Sequence, residues 1–102
     1  MPHPLLSTDE VATALATLPA WQLDRDGKAI RRVFVFRNFS EAFAFMTRVA
    51  LLAEASDHHP EWSNVYKTVD VTLTTHDAGG ITPLDVDMAR RIDRFVPMAS
   101  GS

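Results

Sequence analysis

The sequence predicts an α+β fold in which three helices cover one face of a four-stranded antiparallel sheet, in the order α-β-β-α-β-β-α. Apolar residues recur at helical spacing in three segments, and each segment follows residues typical of a helix start. The stretches between them have strand character and form two pairs joined by short turns, which favours antiparallel pairing. A chain of 102 residues suits one domain, which we expect over residues 1–102, with a core over about 5–96 and frayed ends.

Each predicted helix starts with a side chain that can accept a hydrogen bond from the first turn. The first start fits a capping box and the second resembles the same device. The third combines a hydroxyl, a proline in the first turn and a carboxylate at the positive end of the helix. These starts are Ser7 with Glu10, Asn38 with Glu41, and Thr82 with Pro83 and Asp85.

The apolar faces of the helices define the expected core. The first helix ends at Pro19, the second covers residues 40–57, and the third begins at Pro83. Residues three and four apart share a helical face, so the apolar stripes should pack on the sheet. The stripes are Val11, Leu15 and Leu18; Ala42, Phe43, Met46, Val49, Ala50 and Ala53; and Val86, Ala89, Ile92 and Phe95.

Four strands complete the prediction, over residues 21–23, 30–36, 62–66 and 69–75, with a hairpin turn at 24–27. Residues 33–36 are all apolar, which indicates a strand covered by helices on one face and by another subunit on the other. We therefore expect a homodimer or homotetramer, because an exposed apolar sheet face is otherwise a liability.

Composition narrows the possible functions. The chain has no cysteine, which excludes disulfides, thiolate metal sites and cysteine nucleophiles. Its net charge of −3 disfavours nucleic-acid binding, which normally needs a basic face. The N-terminal residues do not resemble a secretory signal, and no segment is long and apolar enough to span a bilayer. We expect a cytoplasmic protein without a membrane association.

The candidate catalytic residues are histidines, and they lie in two places in the sequence. His58 and His59 stand just before Pro60, where the second helix must end, and His76 follows the last strand. The ends of these elements can meet across the sheet, and imidazole can donate and accept protons near neutral pH. Glu54 lies four residues before His58, so it is expected on the same helical face, where it can orient that ring.

Simpler explanations exist for the same residues. Two histidines at a helix end can merely interact with the helix dipole, which is worth roughly 0.3–1 kcal/mol. A three-histidine zinc site is disfavoured because adjacent residues make awkward ligands. Trp62 can stack on a flat heterocycle, although strand aromatics more often belong to the core, and helix capping alone explains Asp85. From the residues alone, the sequence therefore indicates a small α+β domain with a possible histidine site.

Two segments are distinctive, DHHPEWSNVY at residues 57–66 and VDVTLTTH at residues 69–76. Both resemble the signature of the pterin-4a-carbinolamine dehydratases, and the likeness extends from about residue 5 to residue 95. The family implies this fold and the removal of water from a 4a-hydroxytetrahydropterin to give quinonoid dihydropterin. It also implies a functional link to aromatic amino-acid hydroxylases in tetrahydrobiopterin recycling, and no metal or other cofactor.

The resemblance also implies that His58, His59 and His76 are the active-site histidines. We hypothesise that His58 and His76 flank the 4a-carbon as proton donor or acceptor, while His59 positions the pterin and can act as a base. Glu54 and Asp57 are expected to orient the imidazoles, and substrate binding is assigned to Pro60, Trp62 and Asp85. One departure is Leu84, where many members of the family carry an arginine.

Two other functions stay open for a protein with this resemblance. One is a binding role, since some relatives double as dimerisation cofactors for transcription factors. The other is a dehydratase-like role in molybdopterin metabolism rather than on biopterin. Neither role needs a different fold, since one fold can support several functions.

Overall fold

The structure, a computed structural model, describes residues 3–96 and confirms the predicted order of elements. All strand pairs are antiparallel, and the sheet order is β1-β2-β4-β3. A short 3₁₀ turn, His76–Ala78, follows the last strand. The elements are α1 (Thr8–Ala16), β1 (Gln22–Asp24), β2 (Ala29–Val35), α2 (Phe39–Ser56), β3 (Glu61–Val65), β4 (Thr68–Leu73) and α3 (Pro83–Asp93).

The caps of the helices largely follow the prediction. Ser7 and Glu10 form a reciprocal capping box on α1. The side chain of Asn38 accepts from the N–H of Glu41, but the Glu41 carboxylate turns away to accept from the N–H of Arg37. The start of α3 is also a full capping box, formed by Thr82 and the carboxylate of Asp85. The same carboxylate also contacts His58, outside the helix.

The core lies between the helices and the inward face of the sheet. Phe34 packs against Phe45 in a tilted arrangement with 4.6 Å between ring centroids, and Phe45 also contacts Phe36 at 4.9 Å. The predicted placement of Phe43 and Ala50 in the core is wrong, because both are exposed. Helix α2 is rotated so that a different set of positions, also spaced by three or four, faces the sheet. The buried residues of α2 are Ala42, Phe45, Val49 and Ala53.

The outward face of the sheet has an apolar patch at one end. Val33, Val35 and Val65 are 44%, 66% and 76% exposed, and Val35 and Val65 both pair with Thr68. Within residues 3–96, strand β2 is thus covered by helices on one side only. No helix among residues 3–96 has the length and apolar character needed to span a lipid bilayer.

Two tight turns set the ends of the sheet. Arg25, Asp26 and Gly27 have φ angles of 52°, 56° and 84°, and Tyr66 has a φ of 51° between β3 and β4. Glycine adopts this left-handed region without strain and aspartate does so more readily than most residues. The hairpin predicted at 24–27 is confirmed, and it lies at the same end of the sheet as the start of β3 because β2 pairs antiparallel with β4.

Candidate functional site

The three histidines of interest lie at one end of the sheet. His58 and His59 directly precede β3, whereas His76 follows β4, and these strands pair antiparallel from Glu61 opposite Thr72. The start of one strand therefore lies beside the end of the other. The expectation that these two places meet across the sheet is confirmed.

His58 is buried and held by a carboxylate. Helix α2 ends at Ser56, and Asp57 adopts a left-handed conformation with φ 52° that reverses the chain. The N–H of His58 then donates to the carbonyl of Ala53 at 3.2 Å. The ring points inward, where Nε2 lies 2.6 Å from Oδ1 of Asp85, and the two residues are only 8% and 0% exposed.

Asp85 is itself held by residues at the start of α3 and just beyond the end of β4. Its Oδ2 accepts from the Thr75 hydroxyl at 2.8 Å and from the N–H of Thr82 at 2.9 Å. The hydroxyls of Thr75 and Thr82 are also 2.8 Å apart. Because the Thr75 proton goes to Asp85, the Thr82 hydroxyl must donate to Thr75, and it accepts in turn from the N–H of Leu84 at 3.2 Å.

This network determines how His58 can react. Oδ2 of Asp85 already accepts two hydrogen bonds, and Oδ1 is the oxygen that contacts Nε2 of His58. We therefore assign the proton between Asp85 and His58 to Nε2 of the ring. Only Nδ1 of His58 is then left to exchange a proton with a ligand.

Glu54 contacts a different histidine from the one predicted. Its Oε1 lies 3.0 Å from Nε2 of His59, and both side chains are exposed. The expected pairing with His58 is wrong because α2 stops at Ser56, so the spacing of four residues no longer places the two side chains on one helical face. Glu54 can still orient an imidazole, but the imidazole is that of His59.

His76 is the most exposed of the three, with 74% of its side chain accessible. Its Nε2 lies 2.8 Å from Oε2 of Glu61, the first residue of β3. The same carboxylate is held by the guanidinium of Arg25, whose Nη1 donates to Oε2 at 3.1 Å and whose Nη2 contacts Oε1. The hydrogen bond from Arg25 lowers the pKa of Glu61, and it raises the pKa of Arg25 in return.

Other predicted site residues lie nearby with less specific contacts. Pro60, between His59 and β3, and Trp62, the second residue of β3, are both half-buried, and Trp62 packs against the core. Asp57 is exposed, and its visible contribution is the reversal of the chain before His58. The roles given to these three residues stay predictions.

Several supporting residues could not be identified from the sequence. Thr75 contacts Asp85, Glu61 contacts His76 and Arg25 contacts Glu61. Thr75 and Glu61 stand out in the sequence only as parts of the two signature segments. Arg25 gave no signal, because it belongs to a turn far from the histidines in the chain. A groove of about 530 Å³ between α1 and α3 is lined by none of the candidate residues. Within residues 3–96, no three His, Asp or Glu side chains converge as a metal site would require.

The sequence and the fold of this chain are similar to those of known proteins. The sequence profile of the family described as pterin 4 alpha carbinolamine dehydratase matches residues 4–95. A protein of Mesorhizobium japonicum named "Putative pterin-4-alpha-carbinolamine dehydratase" is 66% identical over 90 residues, which cover 88% of this chain and 92% of that protein.

Two solved structures share the fold. A crystal structure from Brucella melitensis, described as a transcriptional coactivator/pterin dehydratase, is 48% identical with a TM-score of 0.86, covering 89% of this chain and 97% of its own. A pterin dehydratase-like RuBisCO assembly factor of the alpha-carboxysome matches with a TM-score of 0.67, covering 76% of this chain and 90% of its own. At 22% identity, the second likeness shows a common fold alone. The profile match over nearly the whole chain and the high identity of the first relative show that this chain belongs to the pterin-4a-carbinolamine dehydratase family.

Proposed function

We propose that this protein dehydrates a 4a-hydroxytetrahydropterin to quinonoid dihydropterin and water. The proposal places it in the cytoplasm, in the recycling of tetrahydrobiopterin for an aromatic amino-acid hydroxylase, and it invokes no metal or other cofactor. Membership of the dehydratase family supports the reaction class. The observation that carries the proposal is the buried contact between His58 Nε2 and Asp85, because it leaves one ring nitrogen committed and the other free to move a proton.

The reaction needs two proton transfers. The bond between the 4a-carbon and its hydroxyl oxygen breaks, and a proton supplied to that oxygen allows it to leave as water. A proton departs from a ring nitrogen of the pterin, so the charge balances and no electron donor is required. Side chains that titrate near neutral pH suit both steps and typically contribute about 10²–10⁴ in rate each.

The histidines divide these tasks in our proposal. His58 and His76 flank the 4a-carbon as proton donor and acceptor, and His59 positions the pterin and can act as a base. Pro60 and Trp62 supply an apolar surface for the flat ring system. Asp85 has no surface left for a ligand, so in place of direct substrate binding we propose that it acts by positioning His58.

All three imidazoles share one feature that supports this division. Each contacts a carboxylate through Nε2: His58 with Asp85, His59 with Glu54 and His76 with Glu61. A neutral ring that donates from Nε2 keeps a lone pair on Nδ1, and a carboxylate also stabilises the imidazolium that forms after proton uptake. The three rings can therefore present the same nitrogen to the substrate.

Stopped-flow absorbance of a freshly generated 4a-hydroxytetrahydropterin tests the proposal. The wild-type protein should accelerate dehydration above the spontaneous rate, with no loss in the presence of a chelator. His59→Ala should reduce the acceleration by at least about tenfold, because the pterin loses a positioning and basic group. Wild-type protein that leaves the spontaneous rate unchanged would contradict the proposed function.

A binding role is the second candidate. The Brucella relative is described as a transcriptional coactivator as well as a dehydratase, and the outward sheet face of this chain carries an apolar patch of Val33, Val35 and Val65. A specific partner that still binds after replacement of His58 and His76 would favour this role. Loss of the partner together with catalysis would argue against an independent binding function.

We also propose that the chain forms a homodimer or homotetramer. The exposed valines of the outward face are the kind of patch that association covers. Light scattering should give a mass of two or four times 11.3 kDa. Val35→Glu should shift the mass downward if this patch is buried in the assembly, whereas Ala12→Glu, on an exposed position of α1, should leave it unchanged. A wild-type mass of 11.3 kDa would refute self-association.

A further inference from the structure

We infer that Arg25 and Glu61 are positioning residues for His76: the guanidinium of the β1–β2 turn holds the carboxylate that orients the exposed imidazole. This inference rests on the proposed function, since it assigns a support to one of the proton-transfer groups. It reaches beyond the site predicted from the sequence, in which neither residue had a role.

The contacts form a continuous chain of three side chains. Oε2 of Glu61 lies 3.1 Å from Nη1 of Arg25 and 2.8 Å from Nε2 of His76, so one oxygen serves both partners. The other oxygen contacts Nη2 of Arg25. A guanidinium that contacts both oxygens fixes the plane of a carboxylate, which a single ammonium group does not do. Arg25 therefore sets the orientation in which the Glu61 carboxylate accepts a hydrogen bond from His76.

The exposure of His76 makes such a support necessary. His58 is buried and oriented by packing as well as by Asp85, but 74% of the His76 side chain is accessible. An exposed side chain samples several rotamers, and each added rotamer lowers the fraction of time spent in the productive geometry. The contact with Glu61 is the restraint that the structure supplies.

Both residues of the Arg25–Glu61 pair belong to the backbone of the sheet and its turns. Glu61 is the first residue of β3 and pairs with Thr72 of β4, three residues before Thr75 and four before His76. Arg25 lies in the turn between β1 and β2. Because Arg25 keeps the pKa of Glu61 below its usual value, the carboxylate remains an ionised acceptor throughout the neutral range.

The chain provides a closely matched control. Arg31 and Asp70 form a second ion pair with two contacts, with Nε to Oδ1 at 2.9 Å and Nη2 to Oδ2 at 2.6 Å. The arginine side chains of both pairs are 47% exposed, and the two acids are 37% and 32% exposed. Among the described contacts, only the first pair reaches a histidine. A general effect of removing a surface ion pair should thus appear equally in Arg31→Ala.

The experiment compares Arg25→Ala, Glu61→Ala and Arg31→Ala, each alone and combined with His76→Ala. Turnover of 4a-hydroxytetrahydropterin is measured by stopped flow, and mobility of the His76 ring by ¹³C relaxation on histidine-labelled protein. We expect Glu61→Ala to lower kcat about tenfold and Arg25→Ala about threefold, a part of the ~10²–10⁴ that an acid–base group supplies. Both variants should mobilise the ring, and Arg31→Ala should change neither readout.

The double variants decide whether the pair acts through His76. If it does, Arg25→Ala and Glu61→Ala lose their effect on kcat once His76 is replaced, since residues that act as a unit are not additive. Equal losses with and without His76, or an unchanged ring mobility in Glu61→Ala, would overturn the inference. If wild-type protein fails to accelerate dehydration, the proposed function fails, and the relaxation measurement alone decides the positioning.

Discussion

Replacing His58 with glutamine should lower kcat for 4a-hydroxytetrahydropterin dehydration by about 10²–10⁴, the contribution typical of a general acid or base. The amide N–H of glutamine can still donate to Asp85, so the buried carboxylate keeps a partner. The amide has no group that titrates near neutral pH, and proton transfer is lost. Stopped-flow turnover and urea unfolding, measured on the same preparation, separate the loss of chemistry from a loss of stability.

Two comparisons sharpen the result for His58. His58→Ala should lower both turnover and stability, because Oδ1 of Asp85 loses its buried donor at a cost of about 1–3 kcal/mol. His3→Gln changes an exposed histidine outside the site and should leave both quantities at wild-type values. Wild-type turnover in His58→Gln would show that His58 transfers no proton in the rate-limiting step.

Asp85→Ala should reduce the free energy of unfolding by about 3 kcal/mol, one of the largest single losses expected in this chain. Three donors lose their acceptor at once: Nε2 of His58, the hydroxyl of Thr75 and the N–H of Thr82. All three lie in the interior, where an unpaired donor costs far more than at the surface. Because small domains are stable by only about 5–15 kcal/mol, urea denaturation should detect this loss easily.

The matched control for Asp85 lies one half-turn further along the same helix. Asp87 is exposed and, within residues 3–96, pairs with Arg91 alone, four residues away, so Asp87→Ala should change stability by no more than about 0.5 kcal/mol. Asp85→Asn should lower the free energy of unfolding by an amount between the losses of Asp85→Ala and Asp87→Ala. The amide oxygen can accept from Thr75 and Thr82, but the amide N–H₂ faces the donor on His58. Equal effects of Asp85→Ala and Asp87→Ala would show that the buried network contributes little to stability.

The order of elements and the helix starts could be predicted because local patterns determine them, whereas α1 ends at Ala16 and not at Pro19 as expected. Capping residues, prolines and the alternation along β4 depend on neighbours in sequence, and the Ser7 and Thr82 caps lie where expected. The prediction of the apolar face of α2 is partly wrong, because a helix rich in apolar residues can pack on the sheet in more than one rotation about its axis. Packing against the sheet selects Phe45 over Phe43, and only the tertiary structure contains that information.

The site shows the same division between local and distant information. The three histidines were identified from a short signature, and their common location follows from the paired ends of β3 and β4. The carboxylate partners of these histidines could not be assigned correctly, since Glu54, expected beside His58, contacts His59 instead. Helix capping alone explains Asp85 in the sequence. Its additional hydrogen bond with His58 depends on how α3 packs against the rest of the fold. The contact of Arg25 with Glu61 depends on the strand order, which the sequence pattern does not specify.

The wide spacing of the site residues along the chain has a consequence for refolding. Asp85 is 27 residues from His58, and Glu61 is 36 residues from Arg25, so loops must close before either contact can form. Contacts between distant positions form slowly compared with local helices. No early intermediate that contains only helices can have an ordered site. Recovery of dehydratase activity after dilution from denaturant should therefore follow the final cooperative step, and the catalytic assay becomes a probe of the completed sheet.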